Sequence, residues 1–457
     1  MSHGKKDLTL LSGVRAAITE FILSRPHPGR NLNSKLLANL SEKAWLRLYW
    51  FILEYSEHLP PERLFKIQEK RLLTLIDRAQ SIPFYHKRLN GVRNLTDFQS
   101  VPLLTKDDIR KELEAGTLIN KQLERYKITR STSGSSGTPL LFFHDNSMYT
   151  RRIAFYHRLL RWAGYQKKPS NIVVWIMREP HPKSGAIPFV CSGPEDIEAR
   201  KHHLYKLLEG KTVILHAMVS HLIFLADLLE KDKKTFIFKS IISYGESLYP
   251  EIRHYLERKF QSPIFDYYAS QEILTHGQEC EEHQGFHINT EWAYVEILDS
   301  QNKPTEPGKP GSIAITSFDN EFMPFIRYKL GDIGYWIKEK CPCGRTLPRL
   351  QLLARSIHYF IHPNGKVGDF SSLVSPLMYA VPKILEFQVI RNSRFDFSIN
   401  VVATTQFDKS SRETVLNKIQ EYLGPDASVK LECIKNIPRT SGGKTKAFIN
   451  MQDDLPK

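Results

Sequence analysis

Thr212-Val-Ile-Leu215, Ser220-His-Leu-Ile-Phe-Leu-Ala-Asp-Leu-Leu-Glu230 and Phe236-Ile-Phe-Lys-Ser-Ile-Ile-Ser243 follow one another with short breaks between them. The first and third are short apolar runs of strand length. The second is longer and carries its apolar residues at helical spacing. Strands separated by a helix are joined by a crossover, so the two run parallel. The pattern repeats outward, with a strand candidate at residues 172–177 and helix candidates at 149–162 and 251–260. Residues 125–270 therefore predict an α/β fold with a largely parallel sheet.

The flanks differ in character. Ala293-Tyr-Val-Glu-Ile-Leu298, a Pro/Gly-rich turn at 302–311 and Ser312-Ile-Ala-Ile-Thr316 read as β-hairpin material, a β-rich subdomain of the large domain. Upstream, residues 62–90 read as a helix, and Thr105 as the N-cap of another with acidic residues in its first turn. Residues 1–60 read as a helical extension. Within it, Glu42-Lys-Ala-Trp-Leu-Arg-Leu-Tyr-Trp-Phe-Ile-Leu-Glu-Tyr55 is amphipathic and aromatic. Packing on the main domain is the expected use of that face, and peripheral membrane contact through residues 42–55 is the alternative. A hinge near Ala354-Arg355 divides a core domain, residues 61–353, from a small α+β domain, residues 354–457, expected to act as a mobile lid.

Composition narrows the class. At 41% hydrophobic and 25% charged, the chain reads as a globular protein with no apolar run long enough to span a membrane. No secretory h-region follows the first residues, so the cytoplasm is expected. The 64 basic against 49 acidic residues give a net charge of +15, suited to an anionic ligand. The basic residues are interleaved with acids and form no nucleic-acid motif, so no nucleic-acid partner is expected.

Chemistry concentrates in three motifs: Ser131-Thr-Ser-Gly-Ser-Ser-Gly-Thr-Pro139, Arg327-Tyr-Lys-Leu-Gly-Asp332 and Pro438-Arg-Thr-Ser-Gly-Gly-Lys444. In the first, backbone N–H groups near Gly134 and Gly137 and the hydroxyls of Ser133, Ser135, Ser136 and Thr138 can converge on phosphate oxygens. No Gly-Lys-Ser/Thr closes it, so it is not a Walker loop. The segment resembles the phosphate loop of the adenylate-forming superfamily, within it the phenylacetate–coenzyme A ligase family. The resemblance continues through Ile82-Pro-Phe-Tyr85, Leu103-Leu-Thr-Lys106, Tyr244-Gly-Glu-Ser247, Asp266-Tyr-Tyr-Ala-Ser-Gln-Glu272, Gly285-Phe-His-Ile-Asn289 and Cys341-Pro-Cys-Gly-Arg345.

That resemblance implies an ATP-dependent, AMP-forming acid ligase. It would make an acyl-adenylate and pass the acyl group to coenzyme A or to an amine or hydroxyl acceptor such as a sugar. A non-catalytic relative that binds nucleotide or acyl ligand as a scaffold is the alternative. Lys444, Glu272 and Arg327 become the candidate catalytic residues, with Lys446 a rival to Lys444. Glu272 would bind Mg²⁺, which prefers oxygen ligands. The loop 133–138 would hold phosphates, Tyr268 the adenine and Asp332 the ribose hydroxyls. Gly245, Glu246 and Arg355 complete the expected nucleotide site. The chain departs from the family pattern at Thr138, where a basic residue is usual, and at Ala269 and Gln271. At the hinge, Ala354-Arg-Ser-Ile-His358 keeps the arginine and lacks both usual acids.

Cys280, Cys341 and Cys343 group with a histidine into a set suited to structural Zn²⁺. His287 is favoured as the fourth ligand, with His283 as the alternative. His216, after a strand-like run, reads as a core histidine or a lining of the acyl pocket.

Overall fold

The computed structural model describes residues 42–132, 140–177, 185–191, 194–355, 359–361, 367–369, 384–404, 407–438 and 448–451. Helix Glu42–Ser56 buries Tyr49, Ile52 and Leu53 and leaves Trp50 46% exposed, so its apolar stripe is spent on the core. Helix Pro61–Ala79 follows, burying Leu64, Ile67, Leu72, Leu75 and Ile76. The single helix expected over 62–90 is broken. Pro83 lacks an N–H and disfavours helical geometry at Ile82, which is extended, and the chain restarts as Pro83–Arg88. Thr105 caps helix Lys106–Glu114 in a reciprocal capping box with Asp108.

Strands β1 (Lys127–Ser131) and β2 (Leu141–Asp145) pair as an antiparallel hairpin. Among the described residues, one eleven-stranded sheet dominates the molecule. Its parallel half comprises β3 (Asn171–Met177), β4 (Ile187–Val190), β5 (Thr212–Ala217), β6 (Ile237–Tyr244) and β7 (Ile264–Ser270), ordered β7-β6-β5-β3-β4. Helices Val219–Lys231 and Pro250–Phe260 make the right-sized crossovers between β5, β6 and β7. The antiparallel half comprises β8 (Leu274–Gln278), β9 (Phe286–Ile288), β10 (Ala293–Leu298), β11 (Gly311–Ser317), β12 (Tyr328–Ile337) and β13 (Arg349–Arg355). It continues from β7 in the order β8-β9-β13-β12-β11-β10. The hairpin-rich region thus extends the parallel sheet.

The order of β3, β4 and β5 reverses direction about β3, and ligands of open α/β sheets gather beyond the carboxyl ends of strands near such a reversal. Those ends here are Met177, Ala217, Tyr244 and Ser270. His216 lies there as a fully buried core residue, its ring stacked on Trp175 at 4.3 Å and edge-on to Tyr244 at 4.7 Å.

Further along lie β14 (Tyr359–Ile361) and β15 (Val367–Asp369), a two-stranded pair. Strands β16 (Ile384–Arg391), β17 (Asp396–Ala403), β18 (Ser428–Cys433) and β19 (Phe448–Asn450) form a separate sheet ordered β18-β17-β16-β19. Helix Lys409–Leu423, capped by Asp408, covers it over a core of Val389, Ile399, Val401, Ile419 and Leu423. This is the small α+β unit expected from the sequence. No helix of the described residues is long and apolar enough to cross a membrane.

Candidate active site

Two buried carboxylates far apart in sequence each accept a hydrogen bond from a tyrosine hydroxyl. Asp332 is on β12 and 5% exposed; its Oδ2 accepts from the Tyr268 hydroxyl at 2.8 Å. Glu272 is in the turn between β7 and β8, also 5% exposed, and its Oε1 accepts from the Tyr328 hydroxyl at 2.8 Å. Tyr328 and Asp332 both belong to β12. One strand therefore positions both acids. Tyr328 is not among the site residues read from sequence, although it stands inside the 327–332 motif.

The Glu272 turn is held on both sides. Ser270 Oγ accepts from Ile273 N at 3.2 Å, and the Trp292 indole donates to the Ile273 carbonyl at 2.8 Å. Leu274 then takes a left-handed φ of 73°, a conformation that costs a non-glycine residue free energy and occurs where surrounding contacts enforce it.

Arg327 is 1% exposed and engages other partners. Its guanidinium makes a two-point ion pair with Glu296, at 3.1 and 3.0 Å, and donates to the Gln99 carbonyl at 2.6 Å. Its own carbonyl accepts from Leu104 N at 2.9 Å. In the structure it braces the entry to β12. Gly245, at φ +76°, ends β6 with a turn that aims Glu246 back at helix Val219–Lys231. There the Glu246 carboxylate accepts from Ser220 N at 2.6 Å and Ser220 Oγ at 2.9 Å, as an N-terminal cap.

The candidate phosphate loop Ser133–Thr138, Lys444 and Lys446 lie outside the described residues. The roots of the loop are described. Thr132 N donates to the Leu140 carbonyl and Leu140 N to Thr132 Oγ1, both at 3.0 Å, closing the stem that β1 and β2 form. Arg355 ends β13 with its backbone paired to Asp332 on β12.

A second cluster forms where the ends of β8, β9, β12 and β13 meet. The ligand atoms of Cys280, His287, Cys341 and Cys343 lie within 4.8 Å of one another. A tetrahedral site with ~2.3 Å Zn–S arms has S···S edges of about 3.8 Å. Cys280 Sγ and Cys341 Sγ are 3.6 Å apart, and Cys343 Sγ lies 3.5 Å from His287 Nε2. The Nδ1 of His287 donates to the Leu347 carbonyl at 3.1 Å, which leaves Nε2 as the ligand atom, the usual arrangement of a metal-bound histidine. Burial pushes this imidazole down to about 4, so it is neutral. Burial likewise pushes the Cys280 thiol up. These four residues fit a tetrahedral dication. His283 belongs elsewhere, 3.2 Å from Glu279 and 3.3 Å from Arg253.

Known proteins resemble this chain in sequence and in fold. Residues 361–451 match the family model of the CapK C-terminal domain. The phenylacetate–coenzyme A ligase of Thermus thermophilus is 22% identical over 87% of this chain and 98% of its own length. That of Pseudomonas putida is 22% identical over 86% of this chain and 95% of its own. A crystal structure of 2-hydroxyisobutyryl–coenzyme A ligase in the postadenylation state superposes with a TM-score of 0.70 at 19% identity, covering 87% of this chain and 91% of that one. Its open conformation superposes with a TM-score of 0.63 at 20% identity, over 87% and 93%. The chain thus resembles the phenylacetate–coenzyme A ligases in sequence over most of its length, shares its fold with 2-hydroxyisobutyryl–coenzyme A ligase, and ends in a segment that matches the CapK C-terminal domain.

Proposed function

We propose that this chain is an AMP-forming acid ligase. It joins a carboxylic acid to the α-phosphate of ATP, releases pyrophosphate, and transfers the acyl group from AMP to an acceptor. The observation that carries the reading is the joint placement of Glu272 and Asp332 by tyrosines, at the carboxyl edge of the parallel strands. Asp332, held by Tyr268, is poised as an acceptor for ribose hydroxyls. Glu272 offers its remaining oxygen to Mg²⁺, which would neutralise phosphate charge as pyrophosphate leaves. Arg327 acts as a positioning residue for β12. The Gly/Ser loop supplies phosphate donors, and Lys444, carried by residues 354–457 as a mobile lid, supplies the cation between carboxylate and α-phosphate.

Coenzyme A is the first acceptor to test, because the named relatives are coenzyme A ligases. An amine or hydroxyl of a sugar is the second, since the hinge at 354–358 lacks the usual acids. Pyrophosphate release from ATP and Mg²⁺ across a panel of carboxylic acids, with hydroxylamine as trap, is expected to show acid-dependent turnover and a hydroxamate. The same assay on Lys444→Ala is expected to be silent. Silence of the unmodified chain across the panel, with ATP still bound, supports the scaffold reading favoured by Thr138 and the altered hinge.

We further propose that the Cys280/His287/Cys341/Cys343 set holds structural Zn²⁺. The loop that follows the two cysteines is tied to the end of helix Glu42–Ser56 and to helix Asn146–Trp162: Thr346 N donates to the Glu57 carbonyl at 2.8 Å, and the Arg345 guanidinium lies 4.2 Å over the Trp162 ring. Cys341→Ser is expected to remove stoichiometric zinc from the purified protein, read by elemental analysis, and to speed proteolysis near residues 42–60. Full zinc content in that variant would rule the site out.

A further inference from the structure

The Glu272 turn is connected to the stem of the phosphate loop by a chain of side chains that the motifs do not include. His144, on β2, is fully buried, and its Nε2 lies 2.8 Å from the Glu272 carbonyl. A carbonyl only accepts, so the imidazole proton is on Nε2. Nδ1 of the same ring, 3.0 Å from the Tyr149 hydroxyl, is then an acceptor if the ring is neutral. Burial pushes this histidine down to about 4, which keeps it neutral at physiological pH. Having donated to Nδ1, the Tyr149 oxygen accepts from Arg130 Nε at 2.9 Å. Every donor and acceptor along the path is therefore assigned in one direction, from Arg130 through Tyr149 and His144 to Glu272.

We propose that Arg130, Tyr149 and His144 are positioning residues that set the place of Glu272 relative to the β1–β2 stem carrying the candidate phosphate loop. Arg130 is on β1, two residues before Thr132 closes the loop stem, and pairs with Phe142 across the hairpin. Glu272 is in the turn between β7 and β8 of the main sheet, 128 residues after His144. Without a link, the loop that cradles phosphates and the carboxylate that meets their metal would be set by separate elements. The relay ties the β1–β2 stem, from which that loop springs, to the Glu272 turn, so that the two are positioned together before ligand arrives. The inference rests on the ligase reading, in which Glu272 meets Mg²⁺ beside the nucleotide phosphates.

Tyr149→Phe tests it. The ring, at 5.8 Å from His144 and 5.6 Å below the Arg130 guanidinium, is retained and only the hydroxyl is lost. ATP affinity is measured by calorimetry in Mg²⁺ and again in EDTA, with no acid substrate needed. The unmodified chain is expected to bind ATP more tightly with Mg²⁺. In Tyr149→Phe that enhancement is expected to fall about 10-fold, with affinity in EDTA changed by less than about 2-fold, in the range found for coupled neighbours. If melting shows that Tyr149→Phe does not fold, Arg130→Gln, on the partly exposed hairpin stem, is expected to show the same selective loss. A variant that keeps the full enhancement, or loses affinity equally in both media, overturns the relay. An unmodified chain without Mg²⁺-dependent ATP binding overturns the ligase reading, and the relay with it.

Discussion

Glu272→Gln is expected to lower acid-dependent pyrophosphate release by about 100-fold or more, the scale of losing one preorganised electrostatic group at a reacting phosphate. The substitution removes a charge and little else. Glutamine keeps an oxygen where Oε1 accepts from the Tyr328 hydroxyl, and the turn's backbone contacts through Ile273 do not involve the side chain. Folding should therefore survive, with a melting temperature close to that of the parent. The deficit should be partly relieved by raising Mg²⁺, because the neutral amide weakens the metal's hold without closing its place. A rate within about threefold of the parent at limiting Mg²⁺ would remove Glu272 from the reaction. A variant that fails to melt cooperatively would assign the residue to the fold.

The largest expected effect on stability is at Arg158. This guanidinium is fully buried and meets Glu291 at 2.7 and 3.2 Å, the Leu53 carbonyl at 2.8 Å and Asn289 Oδ1 at 3.0 Å. Burial alone would raise the Glu291 carboxyl. Arg158 opposes it and, with the Ser56 hydroxyl, holds that carboxyl below its ordinary value. Arg158→Met leaves the carboxylate charged in a dry site, which typically costs about 3–5 kcal/mol. The shift of the urea midpoint measures it. Adding Glu291→Leu should recover most of the loss, since apolar replacement of a whole buried pair is often neutral. A double variant as unstable as the single would show that packing, not the unpaired charge, sets the cost.

The parallel half of the sheet was legible in the sequence because its strands are apolar runs bounded by amphipathic helices. The expected strand at 172–177 is Asn171–Met177, and that at 236–243 is Ile237–Tyr244. Strand β8 was not legible. All five residues of Leu274–Gln278 are buried, but Thr275, His276 and Gln278 are polar, so no apolar period announces it. Their neighbours supply part of the compensation: Asn289 donates to both Thr275 and Gln278. Edge strand β4 was missed as well, since Ile187–Val190 carries a proline and buries only Phe189. At the site, Glu272, Asp332 and the cysteines could be read from motifs. Arg130, Tyr149 and His144 could not, because what joins them is a register between β1 and β2 and a turn more than a hundred residues away.

The docking of helix Pro61–Ala79 has a consequence for biosynthesis. Arg71 on that helix meets Asp319 at 2.7 Å across 248 residues of sequence. At about 5–20 residues per second, a ribosome needs roughly 12–50 s to make the chain between them. Through that interval Leu64, Ile67, Leu72, Leu75 and Ile76 lack the part of their core cluster that residues from Phe286 to Tyr328 supply, although the parallel strands between are already emerging. The nascent chain therefore presents an incompletely packed amphipathic helix to ribosome-associated chaperones. Holdase binding to ribosome-bound fragments should persist until residues near 319 leave the exit tunnel, and then fall away.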